Sequence, residues 1–470
     1  MKMLIGGEWI DKKEKIEVRN KFNGELIDTV PDADENDVKR AIDIAEKGFE
    51  IAKGLPVHKR IDILKKAASI IENNKEEIAR LIASEGVKTI GETRREALRG
   101  INTLTISAEE ARKIAGETLP FESVPGSENR VGYYYRFPIG IISAIISFND
   151  PLTLASHKIG PAIASGNAVI LKPSELVPLT ALKLGEILLQ AGLPGEMLSI
   201  IPGRPERIGD ALVTDERIRM VCFTGGRKTG IEIAKKAGFK KIQMEMGSNS
   251  PVIVMDDAAI DKAVALCVSG AFGAAGQNCI GVQRIYLMDK VYEKFTEKFV
   301  KKTSALKTGY NLDEKSDMGP IISEKEPIRI EEWVNDASKK GAKVHTGGKR
   351  ENTVYLPTVL TDVPGNAIID REEIFGPVVS LYKVTSLEEA IKRSNDVEYG
   401  LNAAIFTNSI DHAFKAVKEL NAGTVIVNDS TDYRIDQMPF GGIKYSGLGR
   451  EGIRHSIMDL TETKVVCFNL

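Results

Sequence analysis

Apolar positions along the chain follow two rhythms. From Asp34 the period is helical: Val38, Ala41, Ile42, Ala45, Phe49 and Ala52 fall on one face, and Asp34 opens the pattern. Further amphipathic helices are predicted through about residue 115. Ahead of them, the first 30 residues read as short strands with turns at Gly6-Gly7 and Asn23-Gly24. Residues 117–130 are turn-rich, and Tyr133 to Arg136 resumes an extended pattern. From residue 139 the runs become short and continuously apolar. IGIISAIISF, AVILKP, MLSIIPG, MVCFTG and KIQMEMG read as buried strands. Helices separate them over PLTLASHKIGPAIASG, from Pro178 to Gly192, from about 205 and from about 228. That alternation predicts right-handed βαβ units and a parallel sheet. A second α/β stretch begins with PVIVM, a helix over 260–276, VQRIYLM and a helix over 290–305, and alternates to about 427. TETKVVCFNL reads as a final strand.

The 470 residues allow two to four domains, and no fixed-period repeat or long linker divides them. Hydrophobic residues at 42% and charged residues at 28% are ordinary for a globular chain, which excludes intrinsic disorder as the main state. Net charge is −2, so no overall basic excess favours nucleic acid or an anionic membrane. The N-terminus MKMLIGGEWIDKKEK lacks an apolar signal core, and no run is long enough to span a bilayer. With four cysteines and no signal peptide, reduced thiols and a cytoplasmic location are expected. The five histidines form no metal-ligand spacing, so no metal is expected.

Several segments carry candidate chemistry. Gly447-Leu-Gly449-Arg-Glu-Gly452 fits G-x-G-x-x-G, but no strand directly precedes it and no acidic residue follows at the right interval. A Gly-rich active-site or interface loop fits better. Gly225-Gly226 follows a strand and opens a helix, where free backbone N–H groups attract phosphate. Gly270, Gly273 and Gly276 suit close helix packing. Cys279, flanked by Gln277 and Asn278, is either a small buried residue or a nucleophile. Glu245 ends an apolar strand, as an ion-pair partner or as a general base with a raised pKa. Asn149 and Asp150 precede Pro151, as helix caps or as ligand contacts at the carboxyl edge of a sheet. Lys172, Ser174 and Glu175 sit at the end of the next strand, as ribose contacts or a solvated loop.

Together these segments resemble the NAD(P)-dependent aldehyde dehydrogenase superfamily, in the non-acylating, lactaldehyde- or glyceraldehyde-oxidising style. The resemblance runs through PIGIISAIISFNDPL, KIGPAIASGN, KPSE, FTGGRKTG, MEMGSNSP, GQNC, EEIFGPVV and MPFGGIKYSGLGRE, in the family's order. It implies an α/β fold: a Rossmann-type cofactor domain over 1–117 and 136–247, a catalytic domain over 248–427, and a β oligomerisation arm with C-terminal segment over 118–135 and 428–470. It also implies a homo-dimer or homo-tetramer. Cys279 would be the nucleophile, giving a thiohemiacetal and then a thioester. Asn149, with the Cys279 N–H, would stabilise the oxyanion, and Glu245 would activate the hydrolytic water. The cofactor would be NAD, with NADP the alternative. Lys172, Ser174 and Glu175 match its adenosine end, Gly225 and Gly226 the pyrophosphate turn, and Glu373 and Phe375 the nicotinamide ribose. Lys158 matches a lysine near the active site.

Three departures from the family pattern stand out. Gly226 replaces a serine in the pyrophosphate turn. Ser248-Asn249 replaces Gly-Lys after the glutamate. Asp150 replaces an aromatic beside the oxyanion residue. The loop NDSTDYRIDQMPF adds Tyr433 and Arg434 to a polar substrate pocket. A small hydroxylated aldehyde is therefore expected. Alternatively, Asp150 pairs with Arg434 or Lys158 and only shapes the pocket. The competing functions are a CoA-acylating relative, disfavoured by Glu245, and an inactive binding protein of the same fold.

Overall fold

A computed structural model describes residues 1–470. Its frame is two sheets and an arm. The first sheet runs, edge to edge, 8–10, 3–5, 198–200, 168–172, 141–145, 218–224, 241–245 and 447–448. The five central strands are parallel; the antiparallel hairpin of 3–5 and 8–10 closes one side and the antiparallel strand 447–448 the other. Strand 141–145 lies between 168–172, which follows it in sequence, and 218–224, reached later. The chain therefore reverses direction of winding there, and in open parallel sheets that switch opens a ligand crevice at the carboxyl edge.

The continuous apolar runs arise because this sheet is covered on both faces. Ile142, Ala144, Val169, Leu171 and Met220 enter one core, while Ile141, Ile170, Val221, Phe223 and Met244 enter the other. The helix Glu35–Gly54 is capped by Asp34, whose carboxylate accepts the Asp37 N–H while its own N–H donates to the Asp37 carboxylate, a capping box. Val38, Ala41, Ile42, Ala45 and Ala52 are buried as the spacing predicts. The helix Ile90–Ala111 carries its own capping box, Thr89 with Glu92.

The second sheet runs 343–346, 358–361, 378–384, 282–288, 250–254, 402–406 and 424–427, parallel except at 343–346. The helix predicted over 260–276 stops at Phe272. Residues 273–276 turn instead with positive φ at Ala274 (51°), Ala275 (54°) and Gly276 (70°). A Cβ at Gly276 would sit 2.2 Å from the Gly376 carbonyl oxygen, so this close approach requires glycine.

The arm is a three-stranded antiparallel sheet of 461–469, 130–138 and 117–119. Residues 428–470 do not travel as one unit: 447–448 completes the first sheet beside Glu245, and the helix Ile453–Asp459 packs on the helix Pro151–Ser165. No helix is long and apolar enough to cross a membrane.

Candidate active site

The carboxyl edge of the first sheet meets the amino edge of the second around a cavity of about 770 Å³. Asn149 reaches it from the loop after strand 141–145, Gly225 and Gly226 from the end of 218–224, and Glu245 from the end of 241–245. From the other side, Cys279 precedes strand 282–288, and Glu373 and Phe375 precede 378–384. Seven residues separated by up to 226 positions thus line one space.

The turn at 273–276 aims the Cys279 segment. Glu92 accepts the Ala274 N–H at 2.8 Å, tying the turn to the helix Ile90–Ala111. Gln277, 1% exposed, donates to the Ala274 and Pro320 carbonyls and accepts from Ile322 N–H. The polar neighbours of Cys279 are therefore anchors for its loop. The Cys279 thiol is pushed up by burial and then by the nearby Glu245 carboxylate, while Arg434 opposes both.

Glu245 is 3% exposed, and neither carboxylate oxygen has a hydrogen-bond partner. Burial and the charge of Glu451 raise its pKa well above the ordinary range, against the pull of Arg434 and Lys158. An ion-pair role is thus excluded by the geometry, since all three nearby cations are engaged elsewhere, Arg450 on the Gly442 and Gly449 carbonyls. Buried Lys158 donates to Glu451, and Arg434 donates to the other Glu451 oxygen at 3.1 Å. Despite burial, those cations hold Glu451 down to about 2, so it remains ionised between them.

Asn149 accepts the Ser147 hydroxyl at 2.7 Å through its carbonyl oxygen, which leaves its amide N–H groups to donate. Asp150 lines the same cavity but does not pair with Lys158, nor make a direct bond to Arg434. Its partner is Lys88, 62 residues earlier, which also donates to Glu96 at 2.9 Å. Arg99 stands 4.0 Å from Asp150. Burial would raise the Asp150 pKa, but Lys88 and then Arg99 hold it below its usual value. Arg434 lines the cavity; Tyr433 does not, and is 48% exposed. The expected substrate contact at Tyr433 is therefore corrected: a one-residue step in the loop sends it to the surface and Arg434 inward.

The residues assigned to a dinucleotide fall along the same edge. The helix Arg227–Lys236 starts with Gly226 as N-cap and has no side-chain cap, which leaves amide N–H groups open where a phosphate can accept them. No atom lies within 4 Å of a Cβ placed on Gly226. Glu373 accepts the Ser248 N–H at 2.8 Å, and burial raises its pKa to about 8. A Cβ on Gly247 would strike it at 1.9 Å. Asn249 donates to the Asp370 and Glu372 carbonyls, so Ser248-Asn249 fastens the Glu373 loop. Phe375 has φ of 44° and packs edge-on against Phe148 at 5.8 Å. Lys172, Ser174 and Glu175 lie beyond the cavity wall, at the carboxyl end of strand 168–172. Lys172 is buried, bonds the Pro173 carbonyl and sits 3.7 Å from Glu175.

Sequence reasoning missed Lys88, Glu92, Arg95 and Arg99 on this wall. Arg95 and Arg99 are one turn apart on an amphipathic helix, a spacing indistinguishable from a solvated face.

A model of the aldehyde dehydrogenase family matches residues 9–466. An aspartate-semialdehyde dehydrogenase 1 of Pseudomonas canavaninivorans is 47% identical, covering 97% of each chain. A 3-sulfolactaldehyde dehydrogenase of Priestia aryabhattai is 42% identical over 100% of this chain and 98% of its own. Among solved structures, the glyceraldehyde-3-phosphate dehydrogenase GapN of Methanocaldococcus jannaschii, complexed with NADP, superposes with a TM-score of 0.94. It is 39% identical and covers 98% of this chain and 100% of its own.

Proposed function

The chain belongs to the aldehyde dehydrogenase family and is an NAD(P)-dependent oxidoreductase, and we propose that it oxidises a small polar aldehyde to its acid through Cys279. The observation that carries the reading is a buried, unpartnered carboxylate, Glu245, on the same cavity as a half-buried thiol and a free amide.

Burial opposes a charged Cys279 and a charged Glu245 alike. Passing the thiol proton to the Glu245 carboxylate leaves one negative charge in the cavity throughout, so activating the nucleophile adds no buried charge. Arg434 draws both groups towards ionisation. The thiolate then attacks the aldehyde carbon, and the Asn149 amide and Cys279 N–H donate to the oxygen that becomes negative. Bound NAD(P) supplies the two-electron acceptor for the oxidation. Lys172, Ser174 and Glu175 would hold its adenosine end, Gly225 and Gly226 its phosphates, and Glu373 and Phe375 the nicotinamide ribose. NAD is the preferred form on this reading, because the Glu175 carboxylate repels a 2′-phosphate. Once Glu245 has released the thiol proton to solvent, its carboxylate takes a proton from the water that hydrolyses the thioester on Cys279. Hydrolysis rather than transfer to CoA is favoured because Glu245 is present and unpaired.

A small substrate is favoured because charged and polar side chains surround the Cys279 end of the cavity. The relatives are named for sulfolactaldehyde, glyceraldehyde 3-phosphate and aspartate semialdehyde, all short and polar. A homo-dimer or homo-tetramer fits the arm, which exposes Val131, Tyr133, Tyr135, Val465 and Phe468. The test is NAD(P)H formation at 340 nm across an aldehyde panel, with either cofactor, with and without CoA. Turnover dependent on aldehyde and independent of CoA supports the reading. An absolute requirement for CoA, or no turnover with any aldehyde, overturns it.

A further inference from the structure

One wall of the cavity has more cationic donors than acceptors to satisfy them. It is built from the helix Ile90–Ala111 and the loop carrying Arg434. Arg95 lines the cavity, is exposed, and has no carboxylate or carbonyl partner. Its neighbour Arg94 points away and is tied to Glu76 and Glu314. Arg99, one turn further along the same face, is held only loosely, at 3.5 Å from Asp436 and 4.0 Å from Asp150. Arg434 has 9% of its side chain exposed. One of its nitrogens reaches Glu451, its guanidinium lies 3.7 Å over the Phe440 ring, and its Nε is buried without a partner.

Apart from Asp432, on the loop carrying Arg434, the carboxylates on the same wall are already committed. Glu92 accepts from Thr89 and Ala274, and Glu96 accepts from Leu152, Thr153 and Lys88. Asp150 is held by Lys88, and Glu326 by Arg329. Three guanidiniums carry five N–H donors each, and the protein supplies them with few acceptors. A planar donor fork left unfilled beside a reactive thiol matches an oxyanion, which accepts two such bonds at once.

We propose that the substrate is an aldehyde whose far end carries an oxyanion, a carboxylate, sulfonate or phosphate, received by Arg95 and Arg99 with Arg434 behind them. This rests on the aldehyde-oxidising reading above and names its substrate class. It also changes the part played by Asp150. With its charge neutralised by Lys88, Asp150 fixes the floor beneath the arginines rather than receiving a substrate hydroxyl.

The test uses the full-length enzyme and three matched pairs: glyceraldehyde 3-phosphate against glyceraldehyde, 3-sulfolactaldehyde against lactaldehyde, and succinate semialdehyde against 4-hydroxybutanal. At least one charged member should exceed its neutral partner by tenfold or more in kcat/KM, mainly through KM, the worth of a charge-assisted hydrogen bond. The pair that responds identifies the oxyanion. Arg95→Gln and Arg99→Gln should each reduce that ratio about tenfold, Arg95→Lys should restore part of it, and Arg95→Glu should invert the preference. Raising the salt should shrink the ratio, because Arg95 is exposed. If neutral aldehydes turn over and no charged member is preferred, or if the preference survives both glutamine variants, the inference is wrong and the aldehyde-oxidising reading stands. If none of the six aldehydes turns over, both fall together.

Discussion

Replacing Glu245 by glutamine separates catalysis from structure, because the carboxylate has nothing to lose. It ends strand 241–245, where its backbone is held by Thr224 on one side and Gly447 on the other, and neither side-chain oxygen is bonded. Glu245→Gln keeps the volume and breaks no ion pair. Were Glu245 a buried salt-bridge partner, losing its charge would cost about 3–5 kcal/mol; here the folded state should be unharmed. The chemical effect should be large. A positioned general base contributes roughly 10²–10⁴-fold, so thioester hydrolysis should slow by about 3–5 kcal/mol of barrier. Oxidation needs no water but does need the thiol proton to leave, so a stopped-flow trace should show one equivalent of NAD(P)H per active site, formed more slowly than in the parent, then a still slower steady state. In the unmodified enzyme the steady state should fall on acidification, from a higher pH than an ordinary carboxylate would give, because Glu245, raised by burial, must be ionised to act as base. That acidic limb should vanish from the residual rate of Glu245→Gln. An unchanged steady-state rate without a burst, or a variant inactivated by heat much faster than the parent, would refute the assignment.

Cys279→Ala should abolish turnover in a folded protein, measured by NAD(P)H formation, because no other group can hold the substrate covalently. Glu451→Gln removes the charge that raises Glu245 and frees Lys158 to approach it, so the acidic limb of the steady-state profile should move to lower pH. Asp150→Phe should depress activity on apolar and hydroxylated aldehydes alike and shorten the thermal half-life, because half-buried Lys88 loses one of its two carboxylate partners; a selective gain on apolar aldehydes would contradict this. Gly276→Ala should lower kcat by about 10²-fold, with slower alkylation of Cys279, because its methyl would displace the loop that aims the thiol.

What the amino-acid pattern reveals depends on how local the cause is. The strands 141–145, 168–172 and 218–224 are legible because burial on both faces makes them continuously apolar. Their ends are legible because polar residues such as Asn149 and Glu245 interrupt that apolarity at the carboxyl edge. The helix over 260–276 overruns because Ala274 and Ala275 favour helix locally. What stops it is distant: the Glu92 carboxylate on the Ala274 N–H and the Gly376 carbonyl against Gly276. Likewise nothing near Asp150 announces Lys88, and nothing distinguishes Tyr433 from Arg434 until the loop is folded. Family resemblance supplies the roles of Cys279, Glu245 and Asn149, but not Arg95 or Arg99, which occupy an ordinary-looking helix.

Several local rules are broken where the chemistry is expected. Ala274, Ala275 and Phe375 hold positive φ without being glycine, at a cost of order 1–3 kcal/mol each. Glu245 is buried and unbonded, Arg434 keeps an orphaned Nε, and Cys279 is burdened by burial and a facing carboxylate. All of them line the same cavity except Ala275, which follows Ala274 in the same turn. A chain optimised for packing alone would let Lys158 or Arg434 neutralise Glu245. Glu451 prevents that by engaging both cations, and because those cations keep it ionised well below neutral pH the arrangement does not relax under physiological conditions. The unpaired base is thus maintained by a fully paired acid, and it is this difference between two buried glutamates that distinguishes a reacting site from a stabilising one.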